Sequence, residues 1–451
     1  MRRLSPPRLV VLSFAAAVLL GALFLKVAPP GKAGESVRFI DCLFTATSAT
    51  CVTGLTTVDI GTRFSGFGQV IIMLLIQLGG LGIMTFSTLF AVLFGKRLTL
   101  RENVVIQSAL DNNKVEGLSE LIKYIIFITL GIELIGAFLL YLRWLAVNSW
   151  SSDYTLYAGL FHAISAFCNA GFSIFPNGLE NCRSDVVVNI IIMSLIVLGG
   201  IGFVVIAEII KIVPFFTDSE VKQRMSLQTK LVVIVSAFLI IMGAVVVFML
   251  EKDNALAGLP LKEKWLASLF QSISPRTAGF NTVAISGLLP GTLFFIMVLM
   301  FIGASPGSTG GGIKTSTFGI LLATFYSMIR NRDRVFLMNR TIPKPVVRKC
   351  VTVLALALCL IVAVTFILTI SENRIDAGKN SFLSLLFETT SAFGTVGLST
   401  GITPKLTDFG KIMIIMTMFI GRVGPLTLAL AVTLQHEKGS YVYPEENVMV
   451  G

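Results

Sequence analysis

Long apolar runs and shorter mixed ones alternate along this chain in an order that recurs. A helix needs about 20 apolar residues to cross a bilayer. Eight segments reach or approach that length: residues 9–25, 70–94, 121–145, 187–213, 231–250, 292–329, 351–370 and 411–434. Between the members of each pair lies a shorter apolar stretch, too short to span, that runs into a glycine-bearing polar loop. The order span, half-helix, loop, span occurs four times, which marks an internal repeat. It divides the chain into 1–110, 111–217, 218–340 and 341–451, each a membrane-pore-membrane unit.

The short stretches align with one another. Residues 44–55, 161–172 and 387–398 share a leading Phe, a central Ser-Ala pair and a Gly near the end, and residues 270–280 follow the same plan one residue shorter. Their glycines fall about 110–120 residues apart. A half-helix broken by Thr395-Val396-Gly397 reads as a re-entrant pore loop, able to expose backbone carbonyls to a dehydrated cation. Consecutive inward carbonyls need torsions that glycine reaches without a Cβ clash. The candidate filter is therefore Val52, Thr53 and Gly54; Asn169, Ala170 and Gly171; Thr277, Ala278 and Gly279; and Thr395, Val396 and Gly397. The half-helices ahead of them aim the negative ends of their dipoles at a cation. Within the half-helices, His162, Gln271 and Glu388 either hold the loops by hydrogen bonds, the favoured role, or line an outer vestibule. Cys51 and Cys168 precede the filter at matching positions, as packing residues or at the edge of the cavity.

The third repeat departs from the others. Residues 292–329 are too long for one ordinary span at 1.5 Å per residue. Their middle holds Gly303, Ala304, Ser305, Pro306, Gly307, Ser308, Thr309, Gly310, Gly311, Gly312, Ile313 and Lys314, a run that cannot continue a stable helix. Irregular backbone at membrane depth is tolerated only where it is buried in protein or lines water, and a loop of this kind halfway down a pore suits a gate. A phosphate-binding loop is a poor fit. Ile313 separates Gly312 from Lys314, no strand precedes the run, and membrane segments flank it. The second spans also correspond, at Gly79-Gly80, Gly199-Gly200, Gly303-Ala304 and Gly421-Arg422. The small residues permit close helix contact. Arg422 is an intramembrane charge, which usually marks function. It either contacts the gate loop or tunes cation passage, or it pairs structurally with Glu133 or a backbone carbonyl.

Composition fixes the setting. The chain is 54% hydrophobic and only 14% charged, whereas soluble domains carry about 25% charged residues. With two histidines, His162 and His436, a histidine-rich metal or catalytic centre is excluded. Six cysteines without C-x-x-C spacing speak for packing rather than zinc or disulfides. The net charge of +11 follows the positive-inside rule rather than nucleic-acid binding. The N-terminal tail has three basic residues, and the inter-repeat loops 95–123, 211–230 and 330–349 hold five, four and seven. Both termini and these loops are placed in the cytoplasm of a multi-pass plasma (inner) membrane protein. The first apolar run looks like a signal peptide but is long enough to be read as an uncleaved first helix. Segments 95–123 and 218–230 form short interfacial helices or solvated linkers.

The four filter segments, the run Ser274-Pro275-Arg276-Thr277-Ala278-Gly279-Phe280, the 303–314 loop, and the run Phe419-Ile420-Gly421-Arg422-Val423-Gly424-Pro425-Leu426-Thr427 together resemble the superfamily of Trk, Ktr and HKT potassium transporters. The likeness covers essentially the whole chain and is nearest to the Ktr-type, KtrB-like membrane subunits, on the direct start at repeat one and the short C-terminal tail. The resemblance implies an all-α polytopic membrane protein of eight spans plus four re-entrant pore helices around a pseudo-fourfold central pore. It implies potassium uptake, with K+ held by filter carbonyls, Na+ as a stimulating ion and no covalent cofactor. A homodimer and a cytoplasmic nucleotide-binding regulatory ring (KtrA-like) are implied as partners, so nucleotide is expected on that ring and not on this chain. Membrane lipids surround the protein, and nucleic acid is not a partner. The 303–314 loop and Arg422 correspond to the family's intramembrane gate. Glycine at all four filter positions fits potassium preference. The basic 330–349 loop contacts the regulatory ring or simply anchors the cytoplasmic side. A carrier with an occluded midplane site built from inverted repeats fits less well, because all four repeats run in the same direction. An enzyme is not expected, since no Asp pair, Ser/His pair or metal cluster lies within the spans.

Overall fold

The computed structural model describes residues 6–82, 118–148, 150–212, 225–332, 334–372, 381–425 and 427. Each repeat opens with a long helix, which in the first is α1 (Pro6–Val27). The first repeat continues with the half-helix α2 (Phe39–Thr50), a single turn α3 (Ile60–Arg63) and α4 (Gly66–Leu81). The second comprises α5 (Leu118–Val147), α6 (Ser152–Phe167), α7 (Val186–Ile201) and α8 (Phe203–Ile212). The third holds α9 (Leu227–Glu251), α10 (Leu261–Ile273), α11 (Pro290–Phe301) and α12 (Thr315–Ile329). A two-stranded hairpin, β1 (Val335–Leu337) and β2 (Arg340–Ile342), leads into the fourth, with α13 (Lys344–Ser371), α14 (Ser381–Gly394) and α15 (Asp408–Val423).

Local chemistry explains these boundaries. Side-chain oxygens of Ser65, Asp185, Ser226 and Thr407 cap α4, α7, α9 and α15 by accepting from the first-turn amides. Pro6 and Pro290 stand at helix starts, where a missing N–H costs nothing. The hairpin turns on Met338 and Asn339, both at positive φ, as a two-residue β-turn demands. This hairpin is a small exception to the all-helical expectation.

Among the described residues, four helices are long and apolar enough to cross a membrane, over Arg8–Val27, Tyr124–Val147, Leu227–Glu251 and Lys344–Ser371. Their outward faces carry Leu20, Phe127, Phe238 and Phe366, all exposed and suited to lipid. The four half-helices α2, α6, α10 and α14 are packed inside them. The Phe that opens each aligned stretch (Phe44, Phe161, Phe270, Phe387) is buried to 1% exposure or less, so equivalent aromatic anchors seat the four half-helices in the core.

The second spans differ from expectation. The apolar pattern predicts continuous helices in the first, second and fourth repeats, with a break only in the third. The structure interrupts every one. α4 stops at Gly82 (φ 82°), α15 stops at Gly424 (φ 91°), and α7 meets α8 at Gly202 (φ 101°) with a 100° bend. In the third repeat α11 ends at Ile302, ahead of the long loop. Only glycine adopts those torsions cheaply. The nearby glycines also make the close contacts expected of small residues. A methyl on Gly79 would run into Thr50 O, one on Gly199 into Phe167 O and one on Gly421 into Phe393 O. In the first, second and fourth repeats the second span is thus pressed against the end of its own half-helix, whereas in the third Gly303 packs on Gly311 of the long loop. The continuations of the first and fourth second spans, and most of segments 95–123 and 218–230, lie outside the described residues.

The ring must close between the fourth repeat and the first. There Lys411 Nζ on α15 lies 2.7 Å from Asp41 Oδ1 on α2, with both side chains buried. Arg38 bridges outside the pair, 3.1 Å from Asp41 and 3.3 Å from Asp408. Burial pushes the Asp41 carboxyl up, but the Lys411 bond and charge prevail and hold it below its ordinary value. A depressed carboxyl contributes stability above its unfolded pKa and loses it as pH falls through the folded value, so this seam weakens below about pH 4. Breaking a buried pair leaves an uncompensated charge. Lys411→Met is therefore expected to cost about 3 kcal/mol, the low end for such pairs because Arg38 still faces Asp41. Asp41→Asn combined with Lys411→Met should recover most of that loss. Thermal unfolding of the detergent-purified variants checks both, and an unchanged single variant would show that the pair does not stitch the seam.

Candidate functional site

The loops after the four half-helices share one construction. A serine within each half-helix, or directly after it in the third repeat, accepts from the amide before the candidate filter glycine: Thr53 N to Ser48 O at 2.7 Å, Ala170 N to Ser165 O at 2.7 Å, Ala278 N to Ser274 O at 2.9 Å and Val396 N to Ser391 O at 2.9 Å. The serine hydroxyls tie the same loops. Ser48 Oγ and Ser391 Oγ accept from Gly54 N and Gly397 N at 3.0 and 3.1 Å. Ser165 Oγ donates to Phe172 O at 2.8 Å, and Ser274 Oγ donates to Phe280 O. The apolar and glycine pattern of the sequence does not by itself single out these serines. Their signal was present: each stands six residues before its glycine, or five in the shortened third copy.

Torsions repeat with the bonds. Val52, Asn169, Thr277 and Thr395 hold φ of 56°, 58°, 72° and 49°, and the glycines two residues on hold 95°, 67°, 76° and 96°. For β-branched Val and Thr such values are genuine outliers, and strain at four equivalent positions points to function. Alternating torsion signs turn successive carbonyls to one side of the chain, as cation coordination requires. The four loops meet in cyclic chain order. A methyl on Gly54 would lie 2.5 Å from Ala170 O, and one on Gly171 would lie 2.7 Å from Ala278 O. One on Gly279 would meet Val396 O, and one on Gly397 would meet Thr53 O, which closes the circle. On one side of this ring a cavity of about 250 Å³ is lined by all four glycines, by Asp59 and by Thr56, Ser173, Asn281 and Ser399, the residues two beyond each glycine.

Of the three polar half-helix residues, two hold loops. His162 joins Ala158 O at 2.8 Å and Ser173 Oγ at 3.0 Å, while its ring stacks on Phe175. Glu388 accepts from Ser399 Oγ at 2.9 Å and from Thr403 Oγ1. Gln271 is buried with both amide atoms unpartnered, and so is the hydroxyl of Thr45 at the equivalent first-repeat position. The loop braces therefore stand in the second and fourth repeats, opposite each other in the ring. Cys51 and Cys168 have no exposed surface, as packing residues do.

The 303–314 loop lies against the other side of the ring. A methyl on Gly310 would strike Thr277 Oγ1 and one on Gly311 would strike Thr395 Oγ1. Those two hydroxyls are buried and have no hydrogen-bond partner, so they are free oxygens at the inner end of the candidate filter. The loop folds back on itself through an Ile302–Ile313 bridge and a bond from Lys314 Nζ to Gly310 O at 2.7 Å. Its backbone docks on the second repeat: Ser305 N to Gly200 O at 3.0 Å, Thr309 N to Gly199 O at 3.3 Å, and Phe203 N to Gly307 O at 2.9 Å. Thr309 Oγ1 reaches Phe167 O at 3.2 Å and Gly199 O at 3.1 Å. Gly303, Ala304, Ser305 and Gly310–Gly311 are buried, while Gly307, Ser308 and Gly312 are half-buried. Arg422 donates to Thr309 O and to Gly79 O, and so joins the loop to the first repeat. Two of the alternatives for Arg422, loop contact and backbone carbonyl, are met by the same side chain. Glu133 instead bonds to Gln77 and Cys168.

Residues 10–443 match the TrkH family, described as cation transport proteins. The chain is 41% identical over its full length, and over 97% of the other protein, to the Ktr system potassium uptake protein B of Bacillus subtilis. It is 36% identical to the potassium/sodium uptake protein NtpJ of Enterococcus hirae, covering 100% of this chain and 98% of the other. Its fold is similar to the crystal structure of the potassium transporter TrkH from Vibrio parahaemolyticus, at TM-score 0.74 and 18% identity over 94% of this chain and 84% of that one.

Because Gly171 packs on the next repeat's backbone, Gly171→Ala should lower cation flux about tenfold, the effect of ~1.4 kcal/mol on a barrier. Flux into proteoliposomes, beside an unchanged gel-filtration profile, measures this, and wild-type flux would contradict the ring geometry.

Proposed function

The chain belongs to the TrkH family of cation transport proteins, and from that premise we propose that it takes up potassium across the plasma membrane through a central pore. The carrying observation is the closed circle of four loops, each with the same pair of positive torsions and a glycine packed on its neighbour. The relatives named as potassium uptake proteins are similar over the full chain, which supports the same substrate here.

In this reading a cation enters the polar cavity beside Asp59 and exchanges its water for carbonyl oxygens of Val52–Gly54, Asn169–Gly171, Thr277–Gly279 and Thr395–Gly397. It then meets the 303–314 loop, which acts as the gate. Arg422 locks that loop from the fourth repeat. Opening breaks the bonds to Gly199, Gly200 and Phe203 and moves the loop off the axis. The name of the Enterococcus hirae relative, a potassium/sodium uptake protein, supports a role for Na+ as well.

Ktr-system relatives support a multi-component assembly. We infer a homodimer and a cytoplasmic nucleotide-binding ring that biases the gate, with nucleotide on the ring. The hairpin at Val335–Ile342, set among Arg332, Arg334, Arg340 and Lys344 and exposing Phe336 and Met338, is the contact proposed for it. Both termini are placed in the cytoplasm on the loop charges.

The test is growth of a bacterium lacking its own potassium uptake systems, on low-potassium medium, with this chain expressed alone and with a nucleotide-binding regulatory subunit. Rescue is expected with the subunit and is weaker without it. No rescue in either case, with the protein present in the membrane, would reject potassium uptake.

A further inference from the structure

Glu133 sits in the middle of α5, 2% exposed. An acid at that depth is costly and calls for named partners and a reason. Its partners are specific. Gln77 Nε2 on α4 donates to Glu133 Oε2 at 3.1 Å. Cys168 Sγ, at the end of α6, approaches Glu133 Oε1 at 3.6 Å and Gln77 Oε1 at 3.5 Å. The three side chains form a closed triangle in which Glu133 of α5 joins α4 to the end of α6, two elements distant in sequence.

Both elements end in a carbonyl that receives a bond holding the 303–314 loop. Gln77 lies two residues before Gly79, whose carbonyl accepts from Arg422. Cys168 directly follows Phe167, whose carbonyl accepts from Thr309 Oγ1. Arg422 donates its second bond to Thr309 O, so Thr309 is held from Phe167 on one side and, through Arg422, from Gly79 on the other. Gly80 adds a packing contact at the same place, since a methyl there would lie 2.7 Å from Cys168 Sγ. The distance between the two anchoring carbonyls is therefore set by the contact of α4 with the end of α6. Glu133, from a third helix, clamps that contact.

We propose that Glu133, acting with Gln77 and Cys168, is a positioning residue for the gate: it fixes the spacing of the Gly79 and Phe167 carbonyls that hold Thr309. Among the described residues Glu133 makes its hydrogen bonds with Gln77 and Cys168, and not with the loop or the candidate filter. The inference rests on the reading of the 303–314 loop as a gate. Glutamine at this position keeps an acceptor for Gln77 and a polar group for Cys168, whereas leucine keeps the volume and loses both contacts.

The experiment is potassium flux into proteoliposomes of the purified chain, without a regulatory partner, with thermal stability recorded alongside. Glu133→Leu and Thr309→Val are each expected to raise flux about five- to thirtyfold, the effect of losing one or two buried hydrogen bonds. Their combination should not exceed the larger single effect, since both release the same anchor. Glu133→Gln should restore wild-type flux. If Thr309→Val and deletion of Gly310–Gly312 both leave flux at wild type, the gate reading itself falls. If Thr309→Val raises flux while Glu133→Leu leaves or lowers it, or if the two effects multiply, the positioning role falls and the gate reading stands. Glu133→Gln behaving like Glu133→Leu also overturns it. Should Glu133→Leu fail to yield folded protein, Gln77→Leu carries the same expectation and the same refutation.

Discussion

Backbone that is neither helix nor sheet has nowhere to hide inside a membrane. Each of its N–H and C=O groups needs a partner, because no lipid supplies one. This chain places five such stretches at its centre: four loops after the half-helices and the long loop of the third repeat. Much of the surrounding structure answers that need. The four serines close the loop amides, His162 and Glu388 brace two of the loops from behind, and glycine carbonyls at the helix breaks receive the third-repeat loop. The long apolar helices keep lipid away from all of it. Some of the buried side-chain oxygens left unpartnered stand at the ring itself. Thr53, Thr277 and Thr395 keep buried free hydroxyls, oxygens that a passing cation or its water can use.

The same bonds set the scale of switching. Five contacts hold the 303–314 loop from outside its own repeat: Ser305 N, Thr309 N, Thr309 Oγ1, Gly307 O and the Arg422 guanidinium. At about 1 kcal/mol net for each neutral bond, and up to about 3 for the charged one, the hold is about 5–7 kcal/mol. Moving a two-state equilibrium from almost closed to almost open takes about 5.5 kcal/mol of differential binding. A gate held this firmly stays shut by itself, yet a regulatory partner that prefers the open form can release it. Many more bonds would place opening beyond such a partner, and many fewer would let the pore leak.

The sequence revealed the fourfold plan because repetition is a pattern of residues, and the filter positions because each copy has its glycine in register. Arg422 and the 303–314 run stood out as a charge and a glycine cluster where neither belongs. The breaks in the other second spans were hidden. Gly79-Gly80 and Gly199-Gly200 look like sites of close helix contact, and they are. That a helix also stops two or three residues later depends on what its freed carbonyls meet, namely Arg422 and the loop of another repeat. The partners of Glu133 were hidden for the same reason, since Gln77 and Cys168 are 56 and 35 residues away and share no pattern with it. Gln271 and Glu388 align by position, yet only Glu388 found loop partners, because Ser399 and Thr403 stand within its reach.

Four equivalent repeats build a symmetric ring, but a single gate requires that the symmetry be broken. The two demands are met at different depths. At the ring all four copies carry the same pair of positive torsions, so an ion meets like surroundings on every side. One layer further in, equivalent positions hold Gly80, Gly200, Ala304 and Arg422. The third repeat supplies the loop. The second, its neighbour in the ring, supplies the carbonyls on which the loop docks. The fourth, its other neighbour, supplies the arginine, which reaches back to Thr309 and forward to Gly79 of the first repeat. Arginine at the second repeat's position would occupy the docking surface itself, and at the third repeat's it would lie within the loop. In the first repeat it would stand across the ring from the loop's origin. The fourth repeat is the position from which one side chain can hold the loop and also tie together the two ends of the chain.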